Sequence, residues 1–429
     1  MKRATTSIFI KIIVLIVSMF YIIYFLRTPR VDDYSPKNLE KLVDTELDSS
    51  PICKTKTRGL FDRHLERDGR YEYLKWNTTE YEVRRSDLLL IDKLILDNGV
   101  RPKDTRSKRK YFFSMNLFNN EEVIPHLIQE LLLVIKFLGA KNVFLSIYEN
   151  GSNDQTKEML GNLKTYLKSM DVRNNIVVDD EPRPKSYHRI DYLASVRNKA
   201  LAPLWTDEKK GLLYDKVVFM NDVYFCRNDI LELIYQSDFQ VADLVAPLDV
   251  RSDNEAPPNL FFRDDWVARD LKGELFNRDL DKGPNHSESR IRNRNFLPFQ
   301  VQCSWNGAVV INSKAFYGKN AIKFRRSDKK TSECSASECS LFCNDMWRAG
   351  MRRLIVAPKV LVSYKIKTAK LLDSRRVLAL NTTTKLVERV KYIDGPTDIV
   401  CREMVGDNLL HPDMPDRKIK YTDDDTKVY

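Results

Sequence analysis

Short apolar runs rich in β-branched and aromatic residues punctuate the middle of the chain. They read YFFSMN (Tyr111–Asn116), NVFLSIYE (Asn142–Glu149), NIVVDD (Asn175–Asp180), KVVFM (Lys216–Met220) and GAVVIN (Gly307–Asn312). Runs of this length without strict alternation are what strands buried on both faces show. Between them the apolar period switches to that of a helix. Val123, Ile124, Leu127, Ile128, Leu131, Leu132 and Ile135 share one stripe, with Asn119 or Asn120 as the cap and Glu121 and Glu122 in the first turn. Further helices are predicted over Asp154–Met170, Arg189–Leu204 and Ser337–Gly350. Strand alternating with helix predicts an α/β fold built on a right-handed, mostly parallel sheet flanked by helices.

In such a sheet ligands bind outside the carboxyl ends of the strands. Glu149, Asp180 and Asp222 all fall at strand ends and should gather along that edge. An acid after a strand is commonly only a helix cap or a turn residue. Asp222 is different, because Val223, Tyr224 and Phe225 resume the apolar character at once. A carboxylate held at a buried edge needs a partner. A divalent cation held against a phosphate-bearing substrate supplies one.

Outside this region, Ile8–Leu26 is an apolar stretch of 19 residues, roughly 28 Å as a helix and close to a bilayer core. No small-residue cleavage site follows it, so it reads as a retained signal-anchor. Residues 1–7 then form a cytoplasmic tail, 27–50 a polar stem and 51–110 a helical extension. The catalytic body is expected over 111–400 and a C-terminal tail over 401–429, with Lys418–Tyr429 disordered. Acceptor sequons begin at Asn77, Asn150, Asn285 and Asn381, all after the anchor, which favours a lumenal body. Seven cysteines without a Cys-x-x-Cys pair read as disulfides in an oxidising compartment, with one thiol left over. The net charge of +11 includes a cluster at Arg101–Lys110 that reads as a solvated face. No nucleic-acid partner is expected, since zinc-finger spacing, RRM signatures and basic-region heptads are all missing. Dinucleotide and P-loop glycine motifs are missing too.

The segment ENGSNDQT (Glu149–Thr156) resembles the turn after the second strand of GT-A glycosyltransferases. SVRNKAL (Ser195–Leu201) resembles their Arg-Asn helix, and FMNDVYF (Phe219–Phe225) sits where their Asp-x-Asp motif lies, with Met220 in place of the first acid. A wider ordered set adds FFSMNLFNNEE, RIDYLASVRNKAL, DLVAPLD, FFRDDWVARD, QCSWNGAVVIN and SECSLFCNDMWRAG. Across Tyr111–Tyr364 it resembles the fungal α-1,3-mannosyltransferase and capsule-associated family, glycosyltransferase family 69.

The resemblance implies a type II Golgi membrane enzyme of GT-A fold. Its donor would be GDP-mannose, its metal Mn²⁺ or Mg²⁺, its acceptor a mannoside or other glycan, and its product a retained α-1,3 linkage. It also implies the site residues. Asp222 would be catalytic and hold the metal, with Asn221 beside it; Glu149 would meet the nucleoside, Asp191 the base or ribose, and Arg197 the diphosphate. Glu338 and Asp345, seven apart on one helical face, are candidates for the opposite face of the sugar, against the plainer reading of ordinary helix acids. Trp305, Asn306, Gly307 and Trp266 would shape the sugar pocket. Two alternatives are a transferase using a UDP-sugar and a membrane-anchored glycan-binding protein of the same fold without turnover.

Overall fold

The computed structural model describes residues 109–328, 330, 333–404 and 416–421, together with Ser35, Asn38, Leu39, Ile52, Cys53, Tyr71 and Leu74. The expected anchor at 8–26, the leucine-rich piece at 88–99 and the sequon at Asn77 lie outside the described residues. Among those described, no helix is long and apolar enough to cross a membrane.

Four parallel strands form one half of the sheet: β1 (Tyr111–Leu117), β2 (Val143–Asn150), β3 (Arg173–Asp179) and β4 (Lys216–Met220). They are ordered β3-β2-β1-β4, and the sheet continues through β8 (Ala308–Asn312), β5 (Leu244–Ser252), β9 (Leu354–Val362) and β7 (Phe299–Gln300). A short β6 (Leu260–Phe262) pairs with β5. β8 runs antiparallel to both β4 and β5, whereas β5 and β9 are parallel. The carboxyl ends of β1, β2, β4, β5 and β9 therefore share one edge with the start of β8.

Helices α1 (Ile124–Leu138), α2 (Thr156–Ser169) and α4 (Arg227–Phe239) cover one face of the sheet. α3 (Arg189–Glu208) and α6 (Glu338–Arg348) cover the other. Successive strand residues divide between them as the pleat requires. Phe113, Met115, Val218 and Met220 join the first core, while Phe112, Val217 and Phe219 join the second. Double-sided burial is why the strands read as continuous apolar runs. The remaining helices are α5 (Ser287–Arg294), α7 (Ile366–Ala369) and α8 (Leu372–Asn381).

Two expectations are corrected. Helix α1 begins at Ile124, not after Asn119 or Asn120, with Pro125 in its first turn. Proline lacks an N–H and is best accommodated in the first turn, which favours this start. Asn120 instead closes a preceding turn, its carbonyl accepting from the Val123 and Ile124 N–H groups. The C-terminal segment is also structured beyond the predicted boundary. β10 (Asp398–Cys401) and β11 (Arg417–Lys420) form an antiparallel pair that buries Ile399, Ile419 and Tyr421. Six cysteines pair as Cys53–Cys226, Cys303–Cys343 and Cys334–Cys401, leaving Cys339 as a buried thiol.

Candidate active site

At the shared edge the loops after β1 and β2 interlock. The Asn119 N–H donates to Ser152 Oγ, the Asn120 N–H to Thr156 Oγ1 and the Glu121 N–H to Asp154 Oδ2. In return the Asn153 N–H donates to Asn119 Oδ1 and the Gln155 N–H to Glu121 Oε2. Gly151 makes the turn possible. Its φ is +87°, and a Cβ there would lie 2.3 Å from the Pro182 nitrogen. Glu149 is fully buried beneath this turn and accepts from the Ser152 N–H, while its Oε2 has no partner among the described residues. It was expected to face a nucleoside; in the structure it braces its own loop. Asp180 is exposed and reaches Lys157 at 3.3 Å.

β4 ends where the Asn221 N–H donates to the Gly307 carbonyl at 2.8 Å and the Val223 N–H folds back to the Asn221 carbonyl at 2.9 Å. This tight turn projects Asp222, which is partly exposed. Asn120 Nδ2 donates to Asp222 Oδ2 at 2.9 Å. No ion pair involving Asp222 is found among the described residues. Met220, where the first acid of the metal motif would stand, is wholly buried in the core and cannot act as a ligand.

Asn221 is gripped from both sides. Its Oδ1 accepts from Arg197 at 3.2 Å, and its Nδ2 donates to the Tyr364 hydroxyl at 2.6 Å. Arg197 is buried, with its guanidinium 5.0 to 5.5 Å from the ring centres of Phe219, Trp305 and Phe324. Its Nε donates to Glu338 Oε1 at 2.9 Å. Here the placement departs from expectation. Arg197 is not open to a diphosphate, and Glu338, 2% exposed, serves as its counter-ion. Asp345 lies two turns further along α6, about 10 Å away. It is bound by Arg325 and Arg348, apart from Glu338. Asp191 sits in the first turn of α3 at the correct edge, yet its carboxylate is held by Arg326 at 3.0 Å. Trp266 donates its indole N–H to the Arg402 carbonyl at 3.0 Å, and so faces the C-terminal strand pair instead of the site.

Trp305, Asn306 and Gly307 form the turn leading into β8, packed against the end of β4. Asn306 takes a left-handed φ of +49° and donates from Nδ2 to the Pro247 carbonyl at 2.6 Å. Gly307 has φ +80°, and a Cβ there would meet Val223 Cγ1 at 2.7 Å. Only glycine lets this turn approach the Asp222 loop so closely.

Several site residues carried no prior assignment. Asp249, within β5 just after its parallel partner β9 slips register, is buried, and Arg263 donates to its Oδ2 at 2.9 Å. Burial pushes the Asp249 carboxyl up to about 7, although Arg263 pulls the other way. Arg263 is exposed, and its guanidinium stacks 4.0 Å from the centre of the Tyr364 ring. Burial likewise raises the Tyr364 hydroxyl pKa. Asp264 is half-buried beside the Trp305–Gly307 turn. DLVAPLD and FFRDDWVARD stood out in the sequence as segments; nothing in their spacing marked these side chains. Of the sequons, Asn381 is exposed and Asn150 is buried. Asn285 uses its amide nitrogen to donate to the Leu275 carbonyl.

Residues 110–345 match the family model described as Cryptococcal mannosyltransferase 1. The alpha-1,3-mannosyltransferase CMT1 of Cryptococcus neoformans is 31% identical over 333 residues, covering 73% of this chain and 68% of that protein. Among solved structures, a mannosyltransferase of Pyrobaculum calidifontis in complex with GDP-Man and Mn²⁺ overlaps 71% of this chain and 68% of its own. Its identity is 10% and its TM-score 0.37. GalNAc-T7 with UDP, GalNAc and Mn²⁺ overlaps 61% of this chain and 43% of its own, at 15% identity and a TM-score of 0.37.

Proposed function

The chain belongs to the cryptococcal mannosyltransferase family, and from that membership we propose that it moves mannose from GDP-mannose to an α-mannoside acceptor, forming an α-1,3 linkage with retention. The observation that carries the site assignment is Asp222: a partly exposed carboxylate at the end of β4, fixed by Asn120 and without a counter-ion among the described residues. Among those residues no group of three His, Cys, Asp or Glu could hold a metal ion. A cage made of protein alone does not fit. A Mn²⁺ or Mg²⁺ held by one carboxylate and completed by substrate phosphates and water does, and Asp222 would hold it. Such an ion neutralises charge on the departing diphosphate.

The remaining steps belong to the chain's own groups. Arg197, through Asn221, fixes the loop that aims Asp222, and Glu338 keeps Arg197 charged in place. Exposed Arg263 faces the same edge as a fixed guanidinium suited to an anionic ligand. The proposed setting is the Golgi membrane, type II, with the body lumenal. Three disulfides and the exposed sequon at Asn381 support it.

Transfer onto an α-mannoside from GDP-mannose is compared with UDP-xylose, UDP-glucose and UDP-galactose, each with Mn²⁺ and with EDTA. GDP-mannose is expected to be used alone, and EDTA to stop the reaction. Preference for a UDP-sugar would overturn the donor assignment. Loss of mass on endoglycosidase treatment, and protection of the body from protease in intact microsomes, are expected for the lumenal placement.

A further inference from the structure

Two acids flank the Trp305–Gly307 turn. On one side the Gly307 carbonyl accepts from the Asn221 N–H, next to Asp222. On the other the Asp264 carboxylate lies against the Asn306 backbone, where burial raises its pKa and the charge of Arg263 pulls the other way. Asp264 Oδ1 also accepts from the Val267 N–H at 3.3 Å. Its chain neighbour Arg263 turns to Asp249 instead, and among the described residues no ion pair involves Asp264. Glu338 is closed off by Arg197 and Asp345 by Arg325 and Arg348, so neither is open to a sugar. Asp264 keeps part of its surface.

Two buried polar atoms stand close to this turn. The Oδ1 of Asp249, a residue 1% exposed, has no partner among the described residues, and neither does the Nε1 of Trp305, which is 2% exposed. Buried acceptors and donors left open cost free energy unless something satisfies them.

We propose that Asp264 is the carboxylate facing the transferred mannosyl unit, across the Trp305–Gly307 turn from Asp222, where it stabilises positive charge developing at the anomeric carbon. This rests on the mannosyl-transfer reading of the site. The bond between the anomeric carbon and the diphosphate oxygen breaks, and its electron pair leaves on the diphosphate. A lone pair of the acceptor hydroxyl forms the new bond on the same face, and the hydroxyl proton passes to the departing diphosphate oxygen. Asp264 itself forms no covalent bond. A fixed negative charge acts on the transition state more than on bound substrate.

The test uses the full-length protein in detergent, with whichever nucleotide sugar the wild type accepts. A failure of the donor reading thus shows in the wild type, and a failure of Asp264 shows only in the ratio of variant to wild type. Asp264→Asn should lower kcat about 100-fold while leaving KM for the donor and binding of the free nucleoside diphosphate within about threefold. Formate should restore Asp264→Ala by about tenfold, a rescue that a purely structural role would not give. Asp265→Asn, whose native carboxylate is bound to Arg278 at 2.7 Å, should keep wild-type turnover. A kcat for Asp264→Asn within about fivefold of wild type would overturn the proposal. If that variant does not bind nucleotide, Asp264→Glu carries the test, because it keeps the charge and moves it by one methylene. More than about a tenfold loss in kcat supports the role, and an unchanged kcat removes it.

Discussion

Asp222 gains almost nothing for the fold from its charge. It receives one side-chain hydrogen bond and packs against no counter-ion among the described residues. Asp222→Ala is therefore expected to leave the unfolding free energy within about 1 kcal/mol of wild type while reducing transfer by at least about 100-fold. Thermal unfolding and a transfer assay on the same preparation check both halves; near-normal turnover would remove the metal assignment. His126 is the opposite kind of residue. It is buried in the first turns of α1, where its Nε2 meets the Phe225 carbonyl at 2.6 Å, and burial lowers its pKa to about 4. The unfolded chain takes up this proton near pH 6.5 and the folded chain does not. Its contribution is thus complete above pH 6.5 and is lost as pH falls towards 4, by up to about 3 kcal/mol. His126→Gln should flatten the urea stability profile across that window. An unaltered profile would show that another group drives acid unfolding.

The Arg197–Glu338 pair joins α3 to α6 behind the site, with both side chains almost fully enclosed. Removing one partner strands a buried charge, and Arg197→Met should cost about 3–5 kcal/mol. Arg197→Met combined with Glu338→Gln should recover most of that loss, and urea unfolding of the two single variants and the double variant measures it. Strict additivity would show that the pair is not coupled. The strands and helices of this half of the molecule were legible before the structure, because double-sided burial writes an apolar run and a helix writes its period. The supporting residues were not. Asp249 lies in a strand that also contains Pro247, where the pairing with β9 slips. A proline in a central strand hides that strand from pattern reading. Asp249 and Tyr364 come near Asp222 only because β8 enters the sheet antiparallel between β4 and β5, an order that no local period encodes. Arg197 lies on the helix before β4, but three aromatic rings and Glu338 turn it inward.

Across the whole molecule, three disulfides tie distant parts of the chain to the sheet. Cys53–Cys226 closes a loop of 173 residues. By loop-closure entropy its removal in Cys53→Ser should cost about 5 kcal/mol. Guanidinium unfolding with and without reductant checks this: reductant should shift wild type toward the variant and leave the variant less affected. Equal midpoints for the two oxidised proteins would mean that the unfolded chain gains nothing from the link.

The same bond sets a rule for anyone choosing where to start a shortened gene. The family match begins at residue 110, which makes that region the natural piece to clone. Cys226, four residues after Asp222, would then emerge as a half-exposed thiol beside the Asp222 loop. In an oxidising secretory host such a fragment should collect as a covalent dimer or a mixed disulfide, with its active edge blocked. Starting upstream of residue 52, or changing Cys226 to serine in the same step, avoids mistaking a cloning artefact for a dead enzyme.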